Sequence, residues 1–150
     1  MIEIREQGFN KSFEAYLVAA VKGLRLDDWH IVFESHQSLG DDPNGGVTRA
    51  DCEANARYQH ALIRLTPHAD GVSAVHELVH VLTANTSQAA ERIIGMLPEG
   101  LREVAWEIFC DGLEPDIERL TGLLHPLVVP SEQKPSPSPS RGEGDEEVNA

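Results

Sequence analysis

The chain has 150 residues and a formal net charge of −13, with 12 basic residues against 25 acidic ones. Its few, scattered lysines and arginines cannot form the clustered positive surface that replaces counterions on phosphates, so we expect no binding to nucleic acid and none to an anionic membrane. This length is that of one domain, and 41% hydrophobic residues are enough for one core.

The cysteines and the N-terminus bear on the cellular compartment. Cys52 and Cys110 lack the spacing of a disulfide framework or of a zinc ribbon, so we expect two reduced thiols. The N-terminal segment is polar and has no apolar stretch like that of a secretory signal, and no apolar run approaches membrane-spanning length. These features predict an intracellular, cytoplasmic protein.

The first half of the chain predicts one helix and a small sheet. Asn10 or Ser12 would cap a helix that runs to about Leu24, with apolar residues at helical spacing. Residues 36–46 carry strong turn chemistry. Short strands are expected on both sides of this loop. They are the segments 29–34, 47–53 and His60–Leu65.

The second half predicts helices. Asp70 is a good N-cap for a buried helix that would end near Asn85. Three further helices are expected over 87–97, 99–113 and 116–125, with Pro98 between the first two. Strands followed by helices predict an α+β fold, in which a small antiparallel or mixed sheet of about three strands packs on the helices.

The last residues differ in composition from the rest of the chain. From Pro130 onward the sequence is rich in Pro, Ser, Gly and acidic residues and has no periodic apolar face. Such a segment buries too little surface to offset its ordering entropy. We therefore expect a folded domain over residues 1–128 and a disordered tail over residues 129–150.

Residues 76–80 read His-Glu-Leu-Val-His and carry the main chemical signal. On a helix, His76 and His80 lie on one face and can bind one metal ion, while Glu77 stands beside that ion as a general base for a water activated by zinc. The helix is otherwise apolar nearly all round, and a buried histidine pair is costly unless each ring finds a partner. The structural alternative is a core helix with two hydrogen-bonded histidines.

A catalytic zinc site needs a third protein ligand. The metzincin pattern fails, because Thr83 and Thr86 stand where Gly and a third His would be. The next histidine, His125, lies near the end of the predicted domain, so a carboxylate is favoured. Glu103 and Glu107 on the helix over 99–113 are the candidates, although both also belong to an acidic stripe typical of a solvated helix face.

Glu107 begins a Glu-x-x-Cys-Asp pattern that resembles the Glu-x-x-small-Asp pattern of thermolysin-like gluzincins. That resemblance implies a role for Asp111 in orienting a ligand histidine. With the strand near Trp29, the segment Tyr58-x-x-Ala-x-Ile-x-Leu-x-Pro and the His-Glu-Leu-Val-His helix, the chain also resembles the short metallopeptidases of phages and prophages, which are minimal gluzincin-like proteins. The resemblance covers roughly residues 27–113.

Membership of such a family would imply zinc ligation by His76 and His80, with Glu77 as the catalytic base. Its downstream helix pattern, Glu-x-small-x-x-x-Leu-Ala, fits Glu103 better than Glu107, although Trp106 departs from it. The resemblance also implies that the strand His60–Leu65 is the edge strand above the cleft, to which an extended peptide substrate could add.

Two functions follow from these features. The first is a zinc-dependent peptidase or amide hydrolase with one zinc ion per chain. The second is a non-catalytic, metal-stabilised accessory or interaction protein, because no residue is clearly identified as an oxyanion donor. Three residues near the motif are candidates for that role. They are Tyr58, His60 and His68.

Overall fold

The computed structural model describes residues 1–5, 8–41 and 45–128. They form the predicted α+β fold, with one mixed sheet of four strands and three helices. In chain order the elements are β1 (Ile2–Arg5), α1 (Lys11–Gly23), β2 (His30–Ser35), β3 (Ala50–Asn55), β4 (His60–Leu65), α2 (Gly71–Gly95) and α3 (Glu99–Val128).

The sheet has the order β1-β2-β4-β3, in which β1, β2 and β4 are parallel and β3 runs antiparallel to β4. The three expected strands are present, and β1 is an addition that the sequence did not predict. This strand has only four residues at the chain terminus, where two isoleucines alternate with a glutamate and an arginine. A pattern that short is too weak to separate a strand from an extended end.

The expectation that His60–Leu65 is an edge strand was wrong. Within the described sheet, β4 lies between β2 and β3, and β3 is the edge strand next to α2. The reason is the composition of β4, whose alternate residues Ala61, Ile63 and Leu65 are fully buried. The edge strand β3 instead exposes Glu53 and Asn55, and charged or polar residues are typical of a sheet edge.

One face of the sheet carries the hydrophobic core. Ile31 and Phe33 of β2 pair in register with Ala61 and Ile63 of β4, and all four are fully buried. Helix α1 covers this face with Leu17 and other residues of its apolar side, and α2 covers it beside β3. The core therefore lies between the sheet and the helices, and α2 is fixed along the edge strand.

Both predicted N-caps are present. The Asn10 side chain accepts a hydrogen bond from the Phe13 amide at 2.8 Å, and α1 ends one residue before Leu24. The Asp70 side chain accepts from the Ser73 amide at 2.8 Å in a capping box that begins α2. Each cap satisfies an amide that would otherwise lack a partner in the first helical turn.

Helix α2 does not end near Asn85, and no separate helix begins at residue 87. The hydroxyl groups of Thr83 and Ser87 donate hydrogen bonds to backbone carbonyls one turn earlier, those of Val79 and Thr83. These polar residues therefore remain compatible with the helix. The chain stays helical to Gly95. Pro98 lies between α2 and α3, and the sequence had predicted a break between two helices at this residue.

Helix α3 is likewise a single helix where two were expected. Pro115 lies inside it and removes one backbone donor, which ordinarily ends or kinks a helix. Leu113 and Ile117 pack into the hydrophobic core on the two sides of the proline. This packing holds the helix across a position where local propensity alone predicted a break.

Two further sequence predictions concern the C-terminal tail and membrane-spanning helices. The predicted disordered tail over residues 129–150 lies outside the described residues. Within residues 1–5, 8–41 and 45–128, no helix combines the length and apolarity needed to cross a membrane.

The Tyr16 hydroxyl gives a test of the packing. This oxygen is buried without a hydrogen-bond partner among the described residues, and burial raises the pKa of Tyr16 to about 12. Tyr16→Phe removes the desolvation cost and keeps the ring, so we expect the free energy of unfolding to rise by about 1 kcal/mol. Urea denaturation measures the change, and Tyr16→Leu should lower stability because it loses the ring. A Phe variant less stable than wild type would show that the hydroxyl has a partner.

Candidate metal centre

Helix α2 brings two histidine rings together. His76 and His80 are one turn apart, and their side chains are 25% and 24% exposed on the face of α2 that meets α3. Their Nε2 atoms are 3.2 Å apart, within hydrogen-bonding distance, and the ring centroids are 5.0 Å apart. Both Nε2 atoms are therefore close enough to bind one metal ion.

Helix α3 contributes a carboxylate to the same point. Glu114 places one oxygen, Oε1, 3.3 Å from Nε2 of His80 and the other, Oε2, 3.6 Å from Nε2 of His76. Its side chain is 55% exposed, so the cluster opens to solvent on the side of Glu114. His76, His80 and Glu114 are the group of possible metal ligands that the described part of the chain brings together.

This donor set suits zinc. Zinc takes histidine nitrogens and carboxylate oxygens at about 2.0–2.2 Å in a tetrahedron, which places neighbouring donors about 3.3–3.6 Å apart. The Nε2 atoms are 3.2 Å apart and Nε2 of His80 lies 3.3 Å from Oε1 of Glu114, which is close to such edges, while the Glu114 oxygen nearest to His76 is the other one, Oε2, at 3.6 Å. Three protein donors also leave one tetrahedral position for water or substrate, as catalytic zinc sites do.

The carboxylates proposed from the sequence lie elsewhere. Glu103 and Glu107 are exposed on α3 and are not part of the cluster. They share a helical face with Glu114 but are nearer to the connection between α2 and α3. Glu114 continues the acidic stripe of Glu103 and Glu107, and its proximity to the histidines becomes visible only once α2 and α3 are unbroken helices.

Glu77 lies beside the histidine pair and is only 8% exposed. Burial, together with the negative charges of Asp51 and Glu114, raises the pKa of Glu77 to about 8. Asp51 belongs to the edge strand β3, and the adjacent Cys52 has a pKa raised by burial and by the charge of Glu77. The Glu77 carboxyl is thus held between α2 and β3 in a poorly solvated environment.

His80 has a lowered pKa. Burial is the main cause and the adjacent His76 adds to it, while the carboxylate of Glu114 acts in the opposite direction. A neutral imidazole is the form that binds a metal ion. The surroundings of His80 therefore favour the ligating form.

Several other candidates from the sequence are outside this cluster. His125 packs against the Tyr16 ring at 6.2 Å, and His60 packs edge-on against His30 at 5.1 Å. Tyr58 is 70% exposed at the turn before β4. The described structure gives neither Asp111 nor His68 a hydrogen bond to the histidine pair. The oxyanion and orienting roles considered for these residues have no support from their positions.

Comparison of the chain with protein-family models, with curated proteins and with solved structures found no match.

The third ligand can be tested by substitution. Glu114→Ala leaves zinc with two protein donors, so we expect its zinc dissociation constant to rise at least tenfold in isothermal titration calorimetry. Glu103→Ala and Glu107→Ala are matched controls on the same helix face and should bind zinc as wild type does. A large loss of affinity in either control, with Glu114→Ala unaffected, would contradict this assignment.

The buried Glu77 makes the stability of the metal-free protein depend on pH. Because its pKa is higher in the folded state than the ordinary 4.5, the fold retains a proton that the unfolded chain loses. Stability from this group is therefore present at low pH and is lost as pH rises to about 8. His80 acts in the opposite sense at lower pH, because its pKa is lowered.

The difference between wild type and Glu77→Gln isolates the glutamate. In chelator-treated protein, we expect the stability of wild type relative to the glutamine variant to fall between about pH 5 and pH 8. Thermal denaturation of both proteins across that pH range measures the difference. Parallel curves for the two proteins would show that Glu77 is solvated.

Proposed function

We propose that the protein is a zinc-dependent hydrolase of peptide or amide bonds. The observation that carries this proposal is the convergence of His76, His80 and Glu114, with donor separations of 3.2–3.6 Å, next to the buried carboxyl of Glu77. Two ligands one turn apart on a helix, a third from another helix and an adjacent base together form the constellation that this chemistry requires.

His76, His80 and Glu114 would hold the zinc ion, which when bound supplies the Lewis acidity that lowers the pKa of a water molecule towards about 7. A carboxylate oxygen of Glu77 would accept a proton from the water whose oxygen adds to the amide carbonyl carbon, and would donate that proton to the amide nitrogen as the C–N bond breaks. Burial makes this carboxylate a stronger base than an exposed one, which suits proton transfer near neutral pH.

The edge strand β3 is the feature that favours a peptide as the substrate. The Thr66 amide donates to the Arg49 carbonyl at 2.9 Å. The backbone amide and carbonyl groups of Arg49 and of alternate residues after it therefore point towards β4. Ala50 and Cys52 then turn their backbone groups towards the open edge, where an extended peptide could pair with them. The next outward carbonyl, that of Ala54, accepts a hydrogen bond from the Gln88 side chain at 3.0 Å, which limits pairing at that end.

The peptide substrate and a cytoplasmic location are parts of the same proposal. Cys52 and Cys110 are free thiols, which accords with a reducing compartment. The net charge of −13 disfavours nucleic acid as the molecule acted upon.

A non-catalytic role is the second candidate. It is favoured by the positions of two candidate oxyanion donors, since His60 packs against His30 and Tyr58 is exposed at the turn before β4. In this alternative the zinc ion would fasten α3 to α2 in an accessory or interaction protein, of the kind that phages also encode, and Glu77 would have no proton to transfer.

Glu77→Gln separates the two candidates. The glutamine keeps the shape of the side chain but cannot act as a base, so we expect zinc binding to persist and peptide cleavage to fall by at least about 100-fold. Zinc-loaded protein is incubated with a mixture of unstructured peptides, and products are followed by mass spectrometry. Glu107→Gln is the control and should retain activity. No cleavage by zinc-loaded wild type, or equal cleavage by Glu77→Gln, would favour the non-catalytic role.

A further inference from the structure

Helices α2 and α3 extend beyond the hydrophobic core as a pair. No residue from 85 to 116, a stretch that the structure describes completely, is fully buried. The half-buried side chains of the two arms include Ile94 on α2 and Phe109 on α3. We call residues 85–113 the distal hairpin. Helices gain most of their stability from packing of an apolar face, so a hairpin without buried residues lacks its usual support.

Each arm of the distal hairpin, together with the turn of α2 that precedes it, carries an exposed stripe of residues three and four positions apart. On α2 the stripe is Leu82, Thr86, Ala89 and Ile93, and Met96 continues it just past the end of the helix. On α3 it is Leu101, Val104 and Ile108. Alternating steps of three and four are the spacing by which helices pack on other helices in bundles.

The exposed apolar area is large enough for an interface. The six large apolar side chains of the two stripes are between 45% and 86% exposed. Together they leave on the order of 700 Å² uncovered, close to the roughly 800 Å² that each partner contributes to a standard protein interface. Single exposed apolar residues are ordinary, but two aligned stripes of this area are typical of an interaction surface.

The charges beside the stripes indicate what covers them. On α2, Arg92 flanks the stripe, and Glu91 points to the other side of the helix. On α3 the flanking residues are acidic, Glu107 and Asp111. All four are exposed. One arginine beside the α2 stripe and two acidic residues beside the α3 stripe are complementary when α2 of one copy meets α3 of a second copy.

We propose that the distal hairpin is the interface of a homodimer, in which the α2 stripe of each copy packs on the α3 stripe of the other. Twofold symmetry makes such a contact self-complementary, because it occurs twice, and it produces a four-helix bundle from two hairpins. This inference does not depend on zinc or on hydrolysis.

Sedimentation equilibrium of the full chain tests the proposal. We expect wild type to be a dimer at about 10 µM, and Ile93→Glu and Ile108→Glu each to raise the dimer dissociation constant at least tenfold, because each buries a charge in the interface. Leu123→Glu is the control: Leu123 is as exposed as Ile108, at 66% against 68%, on the same helix but outside the stripe. It should leave the dimer intact.

Arg92→Glu provides a second variant if a stripe substitution impairs folding, since Arg92 is exposed and its Nε donates only to the Gln88 carbonyl of its own helix in the described structure, at 3.3 Å. We expect it to weaken the dimer severalfold, with far-UV circular dichroism unchanged. Wild type that remains monomeric at about 100 µM would overturn the proposal, and would leave the stripes for a different protein. A dimer that survives both stripe variants and Arg92→Glu, or that Leu123→Glu dissociates equally, would also overturn it.

Discussion

The antiparallel packing of α2 against α3 is the contact on which the site depends. Helix α2 is anchored by its other faces, because Val75, Leu78 and Val81 are fully buried against the sheet and the neighbouring helices. The face that carries His76 and His80 is left to α3. The partner that α3 offers there is a carboxylate, Glu114, so the polar side of α2 is covered by a group that can share a cation with it.

The same contact determines which glutamate reaches the histidines. Fifteen residues separate His80 from the end of α2 at Gly95, and fifteen separate the start of α3 at Glu99 from Glu114. At about 1.5 Å of rise per residue, equal numbers on the two arms of an antiparallel hairpin bring the residues to the same level. Glu107 is seven residues closer to the connection and Glu103 eleven, so they lie about 10 and 16 Å from that level along the axis.

Local signals in the sequence predicted much of the fold for reasons that are themselves local. Asn10 and Asp70 cap helices through their own side chains, and the alternation in β4 reports which of its faces is buried. The order of the strands and the continuity of α2 depend instead on contacts between distant segments. Because α2 was expected to end near Asn85, the level of Glu114 could not be derived, and two other glutamates were preferred.

The candidate site also combines groups whose requirements conflict in the absence of a cation. Glu77 is buried near the negative charges of Asp51 and Glu114, and the Nε2 atoms of His76 and His80, 3.2 Å apart, can share only one hydrogen bond. A divalent cation would relieve the repulsion because it attracts the carboxylates, and it would take a lone pair from each ring. Clusters of this kind, costly when metal-free, are typical of functional sites.

X-ray absorption spectroscopy of the zinc-loaded protein at the zinc edge tests the central claim most directly. The geometry predicts only nitrogen and oxygen neighbours at about 2.0–2.2 Å, with the outer-shell scattering of two imidazole rings. A sulfur neighbour at about 2.3 Å would mean that a cysteine is a zinc ligand, such as Cys110 one turn before Glu114. Such a neighbour, or the scattering of fewer than two imidazoles, would contradict the centre formed by His76, His80 and Glu114.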